Sequence, residues 1–376
     1  MTRVAIIGAG IIGLSIGWRL AKAGCVVEIF ERGEAGHGAS WAAAGMLAAG
    51  VETEPTEEGL LPLSLRSREL WPDFARELEA DSGLSVGYRT EGTLVAAVTR
   101  DDAEQLRFTF ELQRRLGLDI AWLSGAEALA LEPRLNPRLT AACFSAQDHQ
   151  ADNRLVMAAL VEAFSRAGGA LYERCEVEGI EIAGGVAMGL RAGGKLHAAD
   201  VLVLASGAWA RELGGLPEAA KPPVRPIKGQ MLALRMPKAA PLLRHVVWAP
   251  RSYLVPRGDG RLVIGATVEE RGFDPAMTAG GVLALLEGAW RVLPAIEDCP
   301  IEEMWTGFRP GSPDDSPILG PSAVPGLIFA CGHHRHGILL APVTAEAIAA
   351  QILTGVVPES IRAFGIERFQ RNPPGA

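Results

Sequence analysis

RVAIIGAGIIGLSIGWRLAKAGCVVEIFER, residues 3–32, decides the fold. Residues 3–8 (RVAIIG) form a continuous apolar, β-branched run, the pattern of a parallel strand buried on both faces. It opens into Gly8, Ala9, Gly10, Ile11, Ile12 and Gly13, a GxGxxG. LSIGWRLAKAG follows with apolar residues at helical spacing and stops at Gly24. VVEIFER, residues 26–32, supplies a second strand that finishes with Glu31.

Each residue of this unit has a physical task. Gly8 permits the tight turn, Gly10 lets the backbone approach a pyrophosphate, and Gly13 lets helix and strand pack closely. The helix N-terminus offers unpaired N–H groups and the positive end of its dipole to phosphates. Glu31 stands 18 positions after Gly13, where a carboxylate accepts hydrogen bonds from a ribose diol and repels a 2′-phosphate. A lone GxGxxG also occurs as a glycine-rich turn in unrelated α/β proteins. The flanking strand, helix and acid assign a dinucleotide site and disfavour NADP. A second GxGxxG unit and a CxxxxC pair are both missing from the sequence. The small-residue segment GEAGHGASWAAAGMLAAG, residues 33–50, is suited to winding closely past a cofactor, and taken alone reads equally as a flexible loop.

Bulk composition narrows the classes. A chain of 376 residues with 48% hydrophobic and 21% charged residues is that of an ordinary globular protein with two domains or one large two-part fold. A net charge of −8 and a pI near 5.5, with no Lys/Arg run, argue against nucleic-acid binding. Cys25, Cys143, Cys175, Cys299 and Cys331 form no CxxC or metal-ligand spacing and read as free thiols in a reducing compartment. The start of the chain superficially resembles a signal peptide, but its glycine spacing and the helical continuation through Arg19 and Lys22 make it the first strand and helix of the fold. A cytoplasmic protein is expected, and no other uncharged run approaches bilayer-spanning length.

Later segments return to the same sheet. DVLVLASGAWARELG, residues 200–214, reads as a buried strand, a small-residue turn and a helix. GLIFACGHHRHGILLAPVTAEAIAAQILTG, residues 326–355, reads as a strand, a Gly/His-rich loop and a long apolar helix. Elsewhere, within about 86–145 and 225–310, TLVAAV, QMLALRM, SYLVPR and RLVIGATV are strand-like runs split by Pro/Gly turns such as PRGDGR, the texture of an antiparallel sheet. The expected division is discontinuous: 1–85, 146–224 and 321–376 in the nucleotide domain, 86–145 and 225–320 in a second domain. RNPPGA at the C-terminus reads as a frayed tail.

Taken in order, GAGIIG, ASWAAAGML, DVLVLASGAWA, YLVPR, GRLVIGAT, WTGFRPGSPDDSPILG and ACGHHRHGILLAP resemble the D-amino acid oxidase superfamily of FAD enzymes, most of all its glycine oxidase branch of the thiamine pathway. The resemblance covers nearly the whole chain. It implies an α/β fold: a discontinuous FAD-binding Rossmann-like domain plus an α+β substrate domain built on a mixed or antiparallel sheet. It also implies oxidative deamination of glycine or another small amine, with hydride passing from the substrate α-carbon to flavin N5 and oxygen ending as hydrogen peroxide. A small amino acid and molecular oxygen are the implied partners, and a homo-oligomer is expected.

On the family pattern Arg309 matches the arginine that pairs with the substrate carboxylate, for which a planar guanidinium fork is suited. Read alone, Arg309 would default to a salt bridge with Asp314 or Asp315. Tyr253 matches a second carboxylate contact, and Arg335 matches an arginine beside the flavin. For non-covalent FAD the carry-over covers Gly8, Gly10, Ile11, Ile12, Gly13, Glu31, Arg32, Ala39, Ser40, Ala44, Gly45, Met46 and Val177. It continues through Gly332, His333, His334, Arg335, His336, Gly337, Ile338 and Leu339. His334 and His336 replace an aromatic residue and an amide of the family pattern, and Arg251 replaces a histidine. The three loop histidines are too close together in sequence to read as a metal site. Cys331 does not fall where the family's covalent flavin attachments do. The competing readings are a dehydrogenase passing electrons to a carrier and a non-enzymatic FAD-bearing subunit.

Overall fold

The computed structural model describes residues 1–237 and 240–369, so the RNPPGA tail lies outside the described residues. A six-stranded sheet runs in the order Ile318–Pro321, Leu327–Cys331, Val201–Leu204, Arg3–Ile7, Val26–Phe30, Ala170–Tyr172. All its pairings are parallel except the first, which is antiparallel. Val4, Ala5, Ile6 and Ile7 are buried, as expected of a central strand covered on both sides. One face packs on the helices Ile11–Lys22, Leu61–Ser82, Asn153–Arg166 and Gly337–Thr354. The other meets an antiparallel three-stranded sheet, Val177–Ala183, Val186–Ala192 and Lys195–Ala198.

An eight-stranded sheet follows the order Ile301–Gly311, Arg225–Arg235, Arg261–Gly265, Ser252–Pro256, Val246–Ala249, Thr93–Ala97, Ala141–Ser145, Ala121–Ser124. It is mixed: only Val246–Ala249 and Thr93–Ala97 run parallel. One face carries the helix Ala279–Val292 over Leu232, Leu254 and Ile264. The opposite face, with Met231, Val255, Val263 and Trp305, packs on Ala42 and Ala44 of the small-residue segment. The two sheets therefore meet across residues 39–46.

Two sequence expectations change. The helix expected after the strand Val201–Leu204 is a 3-10 turn, Gly207–Glu212; Gly207 enters it at φ +56° and Gly214-Gly215 ends it. Among the described residues, His334–Thr354 is long and apolar enough to cross a bilayer, with a mean hydropathy of 1.5. Yet 67% of it is buried, against the helices Ile11–Lys22 and Leu61–Ser82, which is how a core helix behaves.

Candidate active site

A cavity of about 1330 Å³ opens between the sheets, larger than a drug-sized ligand needs. At one end lie Gly8, Gly10, Ile11 and Ile12. A Cβ on Gly8 would sit 2.5 Å from the carbonyl oxygen of Ala205, and φ +104° at Gly8 is the left-handed region. Glu31 is pinned where the second strand ends: Ala9 N–H donates to it at 2.9 Å and Gly33 N–H at 3.0 Å. The backbone N–H of Ile11 donates to Ser40 Oγ at 2.9 Å, which ties the helix start to the small-residue segment. Arg32 lies 3.7 Å over the ring of Trp209. Val177 also lines this space.

The small-residue segment is held from beneath. Buried Arg257 donates to the carbonyls of Ala44 and Ala151 and to Asn153 Oδ1, at 2.7–2.9 Å. Asn153 in turn donates to the carbonyls of Ser40 and Trp41. Burial lowers the Arg257 guanidinium to about 10, with Asp152 opposing. Ala39, Ser40, Ala44 and Met46 thereby face the cavity.

At the other end the eight-stranded sheet contributes Arg309 and Tyr253. Arg309 lies in the edge strand, paired in register with Ile227, and donates to the carbonyl of Thr267 at 3.1 Å. Among the described residues no carboxylate lies within 4 Å of its guanidinium. Asp314 instead accepts from Arg368 at 2.8 and 3.0 Å and from Ser312, and Asp315 stands 3.4 Å from His334. The guanidinium lies flat over Gly229, where a Cβ would be 2.6 Å from Nη1. The Tyr253 ring likewise covers Gly265, where a Cβ would meet its hydroxyl at 2.4 Å. Burial raises the Tyr253 phenol, and the nearby Arg309 charge opposes that rise.

The histidine loop takes three separate partners. His333 Nε2 is 3.1 Å from Thr344 Oγ1, His334 faces Asp315, and His336 Nε2 is 3.4 Å from Glu57. Burial lowers His333 and His334 to about 3, so both imidazoles are neutral. Arg335 lines the cavity, but its guanidinium is held by Glu57 at 2.6 Å, with Glu52 at 3.6 Å. Gly337 and Ile338 line the cavity, whereas Gly13, Gly45, Gly332, His336 and Leu339 stand behind its wall. Gly13 is where helix meets strand, since a Cβ there would strike the carbonyl of Gly8 at 2.0 Å.

Sequence reasoning missed Glu52, Gly229, Gly265, Trp248 and Arg257. A glycine inside a strand is itself a sign of close approach, so Gly229 and Gly265 carried a signal. Glu52 carried none, because its partners lie far away in the chain.

The FAD dependent oxidoreductase family, DAO, matches residues 3–351. The chain belongs to that family. FAD is accordingly its cofactor, and the cavity walls fit it: glycines leave no room for side chains around the Gly8 turn, and a carboxylate closes the second strand. In addition, Ser206 Oγ and Trp248 Nε1 are buried on this wall without a hydrogen-bond partner among the described residues. A glycine oxidase of Geobacillus kaustophilus is 41% identical over 92% of this chain and 91% of its own. The crystal structure of glycine oxidase from that organism superposes with a TM-score of 0.90 at 39% identity, covering 98% of this chain and 99% of the other. The bifunctional protein ThiO/ThiG of Trichormus variabilis is 38% identical over 99% of this chain, which spans only 56% of that longer protein.

Proposed function

We propose that this FAD enzyme is a glycine oxidase, converting glycine or a comparably small amine to an imino acid, then to oxo acid and ammonia. Bound FAD supplies the two-electron oxidation of the substrate C–H and hands the electrons to oxygen. The observation that carries the reading is Arg309, a half-buried guanidinium facing the cavity without a carboxylate partner of its own. A substrate carboxylate would complete it through two parallel charge-assisted hydrogen bonds, fixing the direction of the α C–H. Tyr253 would donate a third bond from beside Arg309. Arg335, engaged by Glu57, would shape the electrostatics around the flavin without clasping substrate.

For FAD, the turn at Gly8–Gly10 with the amides of Gly10 and Ile12 would receive the pyrophosphate, Glu31 the ribose diol, and Val177 the adenine edge. Ala39, Ser40, Ala44, Met46, Gly337 and Ile338 would lie against the remaining length, with the N-terminus of the helix Gly337–Thr354 directed at the flavin. On this reading the six-stranded sheet is the core of the FAD domain and the eight-stranded sheet that of the substrate domain. The burial of Cys331 supports non-covalent FAD, because it pushes the thiol up to about 12. The ThiO/ThiG and glycine oxidase relatives support a place in thiamine thiazole synthesis, and we infer a cytoplasmic homo-oligomer as its setting.

The test is anaerobic mixing of the yellow holoenzyme with glycine, sarcosine, D-alanine, D-proline and the L-forms. Bleaching by glycine, followed by peroxide on admitting oxygen, is expected. No bleaching by any member of the panel would sink the proposal.

A further inference from the structure

The cavity and a second, much smaller space share a single residue, Glu52. The inner space, about 10 Å³, holds roughly one water and is bounded by Glu57, Ser64, His336 and Leu339 among others. The Glu52 side chain is 9% exposed. Among the described residues neither of its carboxylate oxygens accepts a hydrogen bond; the nearest basic groups are the Arg335 guanidinium, with Nε at 3.6 Å, and the His336 imidazole, with Nδ1 at 4.0 Å. A buried carboxylate left open on a wall between two spaces requires an explanation.

Its position is fixed rather than incidental. Gly50 and Val51 N–H donate to buried Asp148 at 2.9 and 2.7 Å, which clamps the backbone just ahead of Glu52. Titratable groups surround it: Arg335 and His336 from the histidine loop, Glu57 from the turn Pro55–Glu57, Glu54 just before that turn on the far side of Arg335, Asp148 with its partner Arg68, and Tyr253 from the substrate sheet.

Resting on the glycine oxidase reading, we propose that Glu52 is the catalytic base that takes the proton from the substrate ammonium and passes it toward the inner space. The nitrogen needs its lone pair to become an imine, yet an amino acid near neutral pH arrives as the ammonium. In the step, one N–H bond breaks, its electron pair stays on nitrogen, and the proton bonds to a Glu52 carboxylate oxygen. No oxidation or reduction occurs in it. A water in the inner space then carries the proton toward Glu57 and His336. Burial raises the Glu52 carboxyl, His336 and Arg335 oppose that rise, and Asp148 and Glu57 add to it. A base with a raised pKa is better matched to work near neutrality.

The test compares wild type, Glu52→Gln and Glu52→Asp as FAD-loaded enzymes. Glycolate, which has the carboxylate but no amine, is titrated through its perturbation of the flavin spectrum, and glycine turnover is followed against pH. Glu52→Gln should bind glycolate within about twofold of wild type but lose about 10²-fold in kcat/KM for glycine at pH 7, the scale of general-base catalysis. That deficit should shrink about tenfold per pH unit as the neutral amine becomes available, and Glu52→Asp should keep the wild-type slope. A deficit that is absent or constant with pH overturns the proposal, as does glycolate binding lost in step with it. If Gln at 52 prevents FAD loading, the Asp enzyme decides alone: a slope set only by ionisation of the free amine overturns the proposal. Wild type that oxidises no amine refutes the underlying glycine oxidase reading instead, so the two failures are distinguishable.

Discussion

Gly229→Ala offers the sharpest separation between folding and clamp geometry. Gly229 lies inside the strand Arg225–Arg235, opposite Gly307, with no left-handed φ to forbid a side chain. A methyl group there would lie 2.6, 2.8 and 2.9 Å from Nη1, Nη2 and Cζ of Arg309. All three atoms are at the free end of a long side chain, so the backbone can stay in place while the guanidinium retreats. Restoring an ordinary contact near 3.4 Å moves it by roughly 0.8 Å. Alanine also loses less entropy than glycine in a strand, by about 0.5–1 kcal/mol, so thermal stability should hold or rise slightly. A displacement of this size in a positioning group costs about 10²-fold in rate, or about 2.7 kcal/mol. The assay is kcat and KM for glycine with FAD content and Tm measured on the same preparation. The expected result is full FAD loading, a Tm that holds or rises slightly and kcat/KM down about 10²-fold, with glycolate binding weakened in parallel. Turnover within threefold of wild type would show that the guanidinium over Gly229 does not set the substrate's position.

Five further outcomes follow from the same structure. Tyr253→Phe removes one hydrogen bond and should weaken kcat/KM about 2- to 13-fold, equivalent to about 0.5–1.5 kcal/mol, with FAD content unchanged. Gly8→Ala places a methyl group against the Ala205 carbonyl at left-handed φ, so purified protein should carry little FAD and melt at a lower temperature. Acid precipitation should release all FAD into the supernatant, and Cys331, with its thiol near 12, should resist alkylation in the native enzyme at pH 8. His333 has a folded pKa of about 3 against an ordinary 6.5, so between those values only the unfolded chain binds its proton, and stability is lost as pH falls below 6.5. Measured against His333→Gln, a comparison that cancels the buried acids Glu52 and Asp148, wild type should lose roughly 1 kcal/mol per pH unit in urea unfolding. A pH-independent difference between the two proteins would refute that sign.

The parts of the fold legible in the sequence were those encoded locally. Residues 3–32 contain strand, turn, helix and strand in one uninterrupted run, and the structure forms Arg3–Ile7, Ile11–Lys22 and Val26–Phe30 there. SYLVPR and RLVIGATV are apolar runs divided by the turn PRGDGR, which marks neighbouring strands, and they pair directly. Helices such as Leu61–Ser82 and Asn153–Arg166 were less visible, because many apolar positions of the first serve contacts with the helix Gly337–Thr354, and those of the second contacts with Ile11–Lys22 and Leu61–Ser82, and not a self-contained stripe. The site divides in the same way. Arg309 could be singled out from its own block, but the freedom of its guanidinium depends on Asp314 preferring Arg368 and on Gly229 lying opposite Gly307. Such facts reside in register between segments some 80 residues apart. The interior glycines at 229, 265 and 307 announce close approach without naming what approaches, and a register slip of one residue would put side chains where Arg309 and Tyr253 now lie. The clamp is thus a property of strand pairing before it is a property of the arginine, which is why alanine at 229 tests it more cleanly than removal of Arg309 itself.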